Sequence, residues 1–116
     1  MSHFTKIKTK LYNLDTLKKS LSDLNIEWTV QNKVIRGYQN TTHEAELVIK
    51  QENKHDIGFK WNGVEYELVT DLMFWTQNIS VNKFINQINQ RYAYNSILTI
   101  SEKEGFNFKQ LETRED

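Results

Sequence analysis

A chain of 116 residues with 15 basic and 15 acidic side chains, no cysteine and no proline is long enough for one domain that buries roughly two thirds of its unfolded surface. It carries no net field to gather phosphate backbones or anionic lipid. It also lacks any thiol for a disulfide, a nucleophile or a cysteine-held metal.

The longest apolar runs fall far short of the roughly 20 residues that span a bilayer, and the opening MSHFTKIKTK lacks the apolar centre of a signal peptide. Early Asp15 and Asp23, with no arginine before Arg36, do not fit a transit peptide either. Lys outnumbers Arg 12 to 3, and Asn (12) and Ile (10) are abundant. Their codons are rich in A and T, as in organelle genomes and some bacterial ones.

In chain order, SHFTKIKTKL reads as a strand with Phe4 and Ile7 on different faces and Lys6, Lys8 and Lys10 on one wet side. NLDTLKKSLSDLN places Leu14, Leu17, Leu21 and Leu24 on one stripe of a helix, with Asn13 as its cap and Asn25 in the left-handed conformation that ends it. IEWTV, KVIRGY and HEAELVIK follow as three strands, the last with Ala45, Leu47 and Ile49 on one face.

IGFKWNGVEYEL is then a hairpin. A two-residue Asn62-Gly63 turn sets Trp61 opposite Val64, Phe59 opposite Tyr66 and Ile57 opposite Leu68, all on one face, with Lys60 opposite Glu65 on the other. Burying those six side chains is worth on the order of 10 kcal/mol before entropy. From Ser80, a capping residue, Val81, Phe84, Ile85, Ile88 and Tyr92 mark a second amphipathic helix. Residues 95–104 combine ILTI, of strand composition, with SEKEG, which reads as a helix end before Gly105; a further short helix is the preferred reading and a strand the alternative. FNFKQL reads as a final strand before a charged tail, Glu112 to Asp116.

The expected fold is therefore α+β: a single domain over residues 1–116, with an antiparallel sheet of about 4–6 strands and helices packed on one face. The order is β-α-β-β-β-β-α-α-(β). Chemistry is sparse in comparison. His3, His43 and His55 stand at no metal-ligand spacing, so no metal or cofactor is expected. His55-Asp56 cannot act as a dyad from adjacent strand positions, because neighbours point to opposite faces. There is no phosphate loop, nucleophile elbow or paired carboxylate, and the sequence points away from an enzyme.

The hairpin aromatics do not follow the basic-Gly-aromatic signature of RNA-binding sheets, and Glu65 and Glu67 share the ribbon, so nucleic acid is not an expected partner. Two stretches remain as a candidate interaction surface. Arg36 and Tyr38 flank a glycine and can present a bidentate cation and a phenol, although Arg36 paired with a nearby carboxylate is the simpler account. Asp71 and Trp75 bracket the apolar DLMFW segment, which a core-covering turn also explains. The expected partner is another protein. The alternative is a small-molecule or cofactor pocket between sheet and helices, with Arg36 holding an anion and Trp61 or Tyr66 on its wall.

MSHFTKIKT, LKKSLSDLNI, RGY, DIGF with YELVTDL, and INQINQRYAYN together resemble one family along nearly the whole chain. It is the uncharacterised family called hypothetical chloroplast reading frame thirty-five, of cyanobacteria and algal plastids. The resemblance implies a small soluble protein of the chloroplast stroma, encoded in the plastid and without an established activity. One departure is Asn25, where relatives commonly carry glycine, an exchange that a left-handed helix end tolerates.

Overall fold

A computed structural model describes residues 4–30, 34–36 and 42–103. The expected final strand, the charged tail, His3 and Tyr38 lie outside the described residues, as does the side chain of His43.

The first elements follow the local rules. Strand β1 (Thr5–Leu11) leads into helix α1 (Leu14–Asp23). Asn13 Oδ1 accepts from Thr16 N–H at 2.9 Å, satisfying one of the helix's free amides. At the other end Asn25 stands at φ 60°, and Ile26 N–H closes back on Leu21 O at 2.9 Å. A left-handed turn after a leucine-striped helix drops Ile26 and Trp28 back onto the core.

The next segments depart from expectation. IEWTV forms no strand; Thr29 makes a single antiparallel bridge to Val48. Strands β2 (Val34–Arg36) and β3 (Thr42–Glu44) pair with each other as a separate two-stranded ribbon. HEAELVIK breaks at Glu46, whose N–H donates to Phe59 O, and only Leu47–Ile49 continue as β4. That break moves Ala45 to the opposite side from Leu47 and Ile49, where an unbroken strand would have kept all three together.

The main sheet is antiparallel in the order β1-β6-β5-β4, with β5 at Ile57–Trp61 and β6 at Tyr66–Thr70. Its hairpin is wider than a two-residue turn. Trp61 pairs with Tyr66, Phe59 with Leu68 and Gly58 with Val69, because Asn62 Oδ1 accepts from both Val64 and Glu65 N–H at 2.8 Å and holds a four-residue loop. Only Gly63 takes a positive φ there (101°), so the type I′ requirement for two such residues is not met. The shift is two residues along the partner, so it keeps the faces. Phe59, Tyr66 and Leu68 still point together into the core, whereas Val64 is left exposed and Lys60 pairs with Glu67 instead of Glu65.

Glu65 has another role. Its Oε1 accepts the amides of Thr9 (3.0 Å) and Lys10 (2.8 Å), where β1 bulges against β6 and Lys10 adopts φ 61°. After a 3-10 turn at Leu72–Phe74, helix α2 runs unbroken from Val81 to Lys103. It unites the two helices expected there. Ser80 Oγ accepts Lys83 N–H at its start.

Both faces of the sheet are covered. On one, α1 and α2 bury Leu47, Ile57, Phe59 and Leu68 against Leu17, Leu21, Phe84 and Ile88. On the other, Ile35 of the ribbon sits with Ala45, Val48 and Val69. Gly58 makes this second layer possible: a Cβ there would lie 2.5 Å from Ile35 Cγ1, closer still to Cδ1, and 3.0 Å from Ala45 Cβ. The ribbon thus rests on β5 at a position where only glycine leaves room. The helices are clamped to each other by polar groups, with Asn95 donating to Ser20 Oγ (3.1 Å) and Asp23 (3.0 Å) and Arg91 Nε donating to Asp23 (2.8 Å).

Candidate functional site

Arg36 ends β2, and its surroundings follow from one buried carboxylate. Asp56 has no exposed side-chain surface, and it accepts from Arg36 Nε and Nη2 at 2.9 Å each and from the Arg36 backbone amide at 2.8 Å. The Asp56 amide donates in return to Arg36 O at 2.9 Å. This is a two-point guanidinium–carboxylate pair with a backbone bond on either side. The hydrogen bonds to Asp56 push the Arg36 pKa above its ordinary value, against a smaller opposing effect of burial. The fork that the alternative reading assigned to a free anion is engaged by Asp56, as the simpler account of Arg36 required.

Asp71 and Trp75 bracket the 3-10 turn and fix it. Asp71 Oδ1 accepts Met73 N–H at 3.0 Å, and Phe74 N–H donates to Asp71 O at 3.0 Å. Trp75 donates its indole N–H to Ile79 O at 2.8 Å and meets Phe84 edge-on at 5.1 Å, so it closes the core under the turn. Phe74 stacks on His55 with ring centres 3.8 Å apart. What the turn leaves in solvent is Met73, 83% exposed, and Leu72, 41% exposed.

The two expected stretches, Arg36 and Asp71 to Trp75, are joined through Gln51, which the sequence reading did not single out. Its side chain is buried; its Nε2 donates to Phe74 O and His55 O, and its Oε1 accepts from Thr76 N–H (3.1 Å), Thr76 Oγ1 (2.8 Å) and Gln77 Nε2 (3.0 Å). Its own carbonyl lies 3.5 Å from Arg36 Nη2. Asn53 adds a bond from Nδ2 to Phe74 O at 2.9 Å. The QENKHD segment announced a loop by its composition, but nothing in its spacing marked Gln51 as a hub. His55 and Asp56 diverge as adjacent positions should, one onto Phe74 and the other onto Arg36.

The pocket imagined between sheet and helices is filled by side chains: Ile57, Phe59 and Leu68 are fully buried there. Tyr66 is buried as well, which is the main cause of its raised pKa, with Glu46 and Asp15 contributing. Trp61 stands at the rim, edge-on to Tyr66 at 4.9 Å. Among the described residues, open space lies around Trp28. A cleft of about 540 Å3 is lined by Ser22, Asn25, Ile26, Glu27 and Trp28, and a smaller one of about 120 Å3 by Glu27, Trp28, Thr29, Val48 and Lys50. Among the described residues no group of three His, Asp or Glu side chains could hold a metal ion, and no helix is long and apolar enough to cross a membrane.

These elements define a small α+β domain: a four-stranded antiparallel sheet between two helices and a ribbon, with a polar hub at one end holding an exposed apolar turn. Among the described residues the geometry assigns no reaction. The chain belongs to the family described as "Protein of unknown function (DUF1257)", which residues 20–116 match. It is similar to the uncharacterised protein ycf35 of Guillardia theta, 56% identical over 106 residues, covering 91% of this chain and 83% of the relative. It is also similar to ycf35 of Pyropia yezoensis (40% over 116 residues, all of this chain and 91% of the relative) and of Cyanophora paradoxa (39% over 106 residues, 91% and 83%). This is the family that the terminal and helical motifs resembled, and the ycf designation of its relatives supports a plastid setting. No solved structure matches the chain.

Proposed function

We propose that this protein is a non-enzymatic, protein-binding factor of the plastid stroma that serves the assembly or maintenance of a larger complex. The observation that carries the reading is the Leu72–Phe74 turn. It exposes a methionine and a leucine while Asp71, Gln51, Asn53 and His55 fix its backbone and its Phe74 ring. Scattered surface apolar residues are ordinary, but two adjacent ones on a pinned turn lose little entropy on docking, which favours recognition. Arg36, joined to the turn through Gln51, remains in this proposal as its neighbouring surface, with Asp71 and Trp75 as supports of the turn; Tyr38, expected to share that surface, lies outside the described residues.

The test is a photo-crosslinking residue at position 73 of the full chain, expressed in the plastid. A discrete crosslinked partner is expected, and it should disappear when Leu72→Ser is added. Failure to trap any protein, or a product indifferent to Leu72→Ser, refutes the assignment. The Trp28 cleft favours a second reading, a small-molecule site at a place other than the one the sequence indicated. A metabolite that raises the melting temperature of the native chain but not of Trp28→Ala would support it, and no such compound in a plastid extract would remove it.

A further inference from the structure

Among the described residues β1 lies at the edge of the main sheet, paired with β6 alone. Which of its backbone groups face outward follows from the hairpin. Asn62 N–H donates to Glu65 O, so along β6 the groups of Glu65, Glu67 and Val69 face β5, and those of Tyr66, Leu68 and Thr70 face β1. Thr5 and Ile7, opposite Thr70 and Leu68, therefore turn their N–H and C=O toward β6. Lys6 and Lys8, opposite Val69 and Glu67, turn theirs away, toward an edge with no strand partner among the described residues.

The side chains on this edge are sorted as well. Lys6 and Lys8 are exposed on the face away from the helices, and among the described residues neither forms an ion pair. Ile7, between them, is half-buried on the helix face and packs against the main core. A second copy of this chain is a poor occupant, because antiparallel self-pairing across this edge would set lysines against lysines. An acidic strand has the opposite character. Its carboxylates would face Lys6 and Lys8, and its alternate side chains would extend the apolar strip beside Ile7.

We propose that the outer edge of β1 accepts an extended segment of another protein, alternating acidic and apolar residues, by strand addition. The inference rests on residues other than those of the Leu72–Phe74 turn and stands apart from it.

The probe is a fluorescein-labelled synthetic peptide of about six residues alternating Glu and Val, a usual strand length, titrated into the full chain and followed by anisotropy at low salt. Saturable binding is expected. N-methylation of one alternate set of its amides, the glutamates' in an antiparallel match, should abolish binding, and methylation of the other set should leave it. Lys6→Glu with Lys8→Glu should weaken binding roughly tenfold and create binding of the corresponding Lys–Val peptide. Circular dichroism and the melting temperature confirm that this exposed double variant is folded, and Leu72→Ser should leave peptide binding unchanged.

No saturable binding overturns the proposal, as expected if the lysines only guard a free edge against aggregation. Binding indifferent to both methylation patterns overturns it too, since charge alone would then suffice. Self-association lost in the lysine variant, or peptide binding that emerges only after Glu112, Glu115 and Asp116 are neutralised, would assign the edge to a second copy or to the chain's own tail.

Discussion

Gly58→Ala isolates the layer that the sequence did not reveal. In a strand with open space above it, replacing glycine by alanine should stabilise the fold by roughly 0.5–1 kcal/mol, because glycine loses more backbone freedom on folding. Here the added methyl would lie 2.5 Å from Ile35 Cγ1 and 3.0 Å from Ala45 Cβ, inside a layer where Ile35 is fully buried. Overpacking of this kind costs about 1–3 kcal/mol, so the sign should reverse and the variant should be less stable. Ile35→Ala alone opens a cavity and should cost about 2–5 kcal/mol.

In the double variant the new methyl enters the space that Ile35 vacates. The combined loss should then fall short of the sum by about 1–2 kcal/mol, a coupling well above the scatter of independent sites. Urea unfolding followed by tryptophan fluorescence measures all three values. A stabilised Gly58→Ala, or losses that add within about 0.5 kcal/mol, would refute the placement of the ribbon on β5.

Asp56→Ala removes three acceptor bonds, two of them to a charged group, and should cost about 3 kcal/mol, with Asp56→Asn costing less because its amide oxygen can still accept from the Arg36 N–H; thermal melts of the two variants compare them. The Asp23 carboxyl is held below its ordinary pKa chiefly by its hydrogen bond from Arg91, then by that from Asn95. A depressed folded-state value means that this contribution is complete above the unfolded pKa of about 3.9 and is lost as pH falls through the lower folded one. Stability measured from pH 5 down to pH 2 should therefore fall less steeply in Asp23→Asn than in the native chain, and parallel curves would contradict the clamp.

Local signals in the sequence translated well into structure. Asn13, Ser80 and Asn25 occupy the helix ends they mark, because caps depend on a few adjacent residues. The core face of the hairpin was legible too, since Phe59, Tyr66 and Leu68 keep their side under any shift of two residues. The register itself was not: Asn62 used its side chain to bind two amides instead of adopting a positive φ, and composition does not distinguish these options.

Ala45, Leu47 and Ile49 alternate perfectly in sequence, yet a bond from Glu46 N–H to Phe59 O sends Ala45 to the other layer. The candidate site was half visible for a similar reason. Arg36, Asp71 and Trp75 stood out by residue type, whereas Gln51 acts through contacts with residues more than twenty positions away. No spacing encodes that.

The pairing of β1 with β6 and of α1 with α2 bears on how the chain acquires its shape during synthesis. The early elements place Thr5 against Thr70 and Ser20 and Asp23 against Asn95. Their tertiary partners therefore leave the ribosome only after about 65 to 75 further residues have been made. Residues 57–70 can close a hairpin at once, but β1 must wait for it and then complete a sheet across a long loop, a slow and entropically demanding step. For that interval the Leu17 and Leu21 stripe and the β1 edge stand uncovered, because these elements are made well before the partners that fix them.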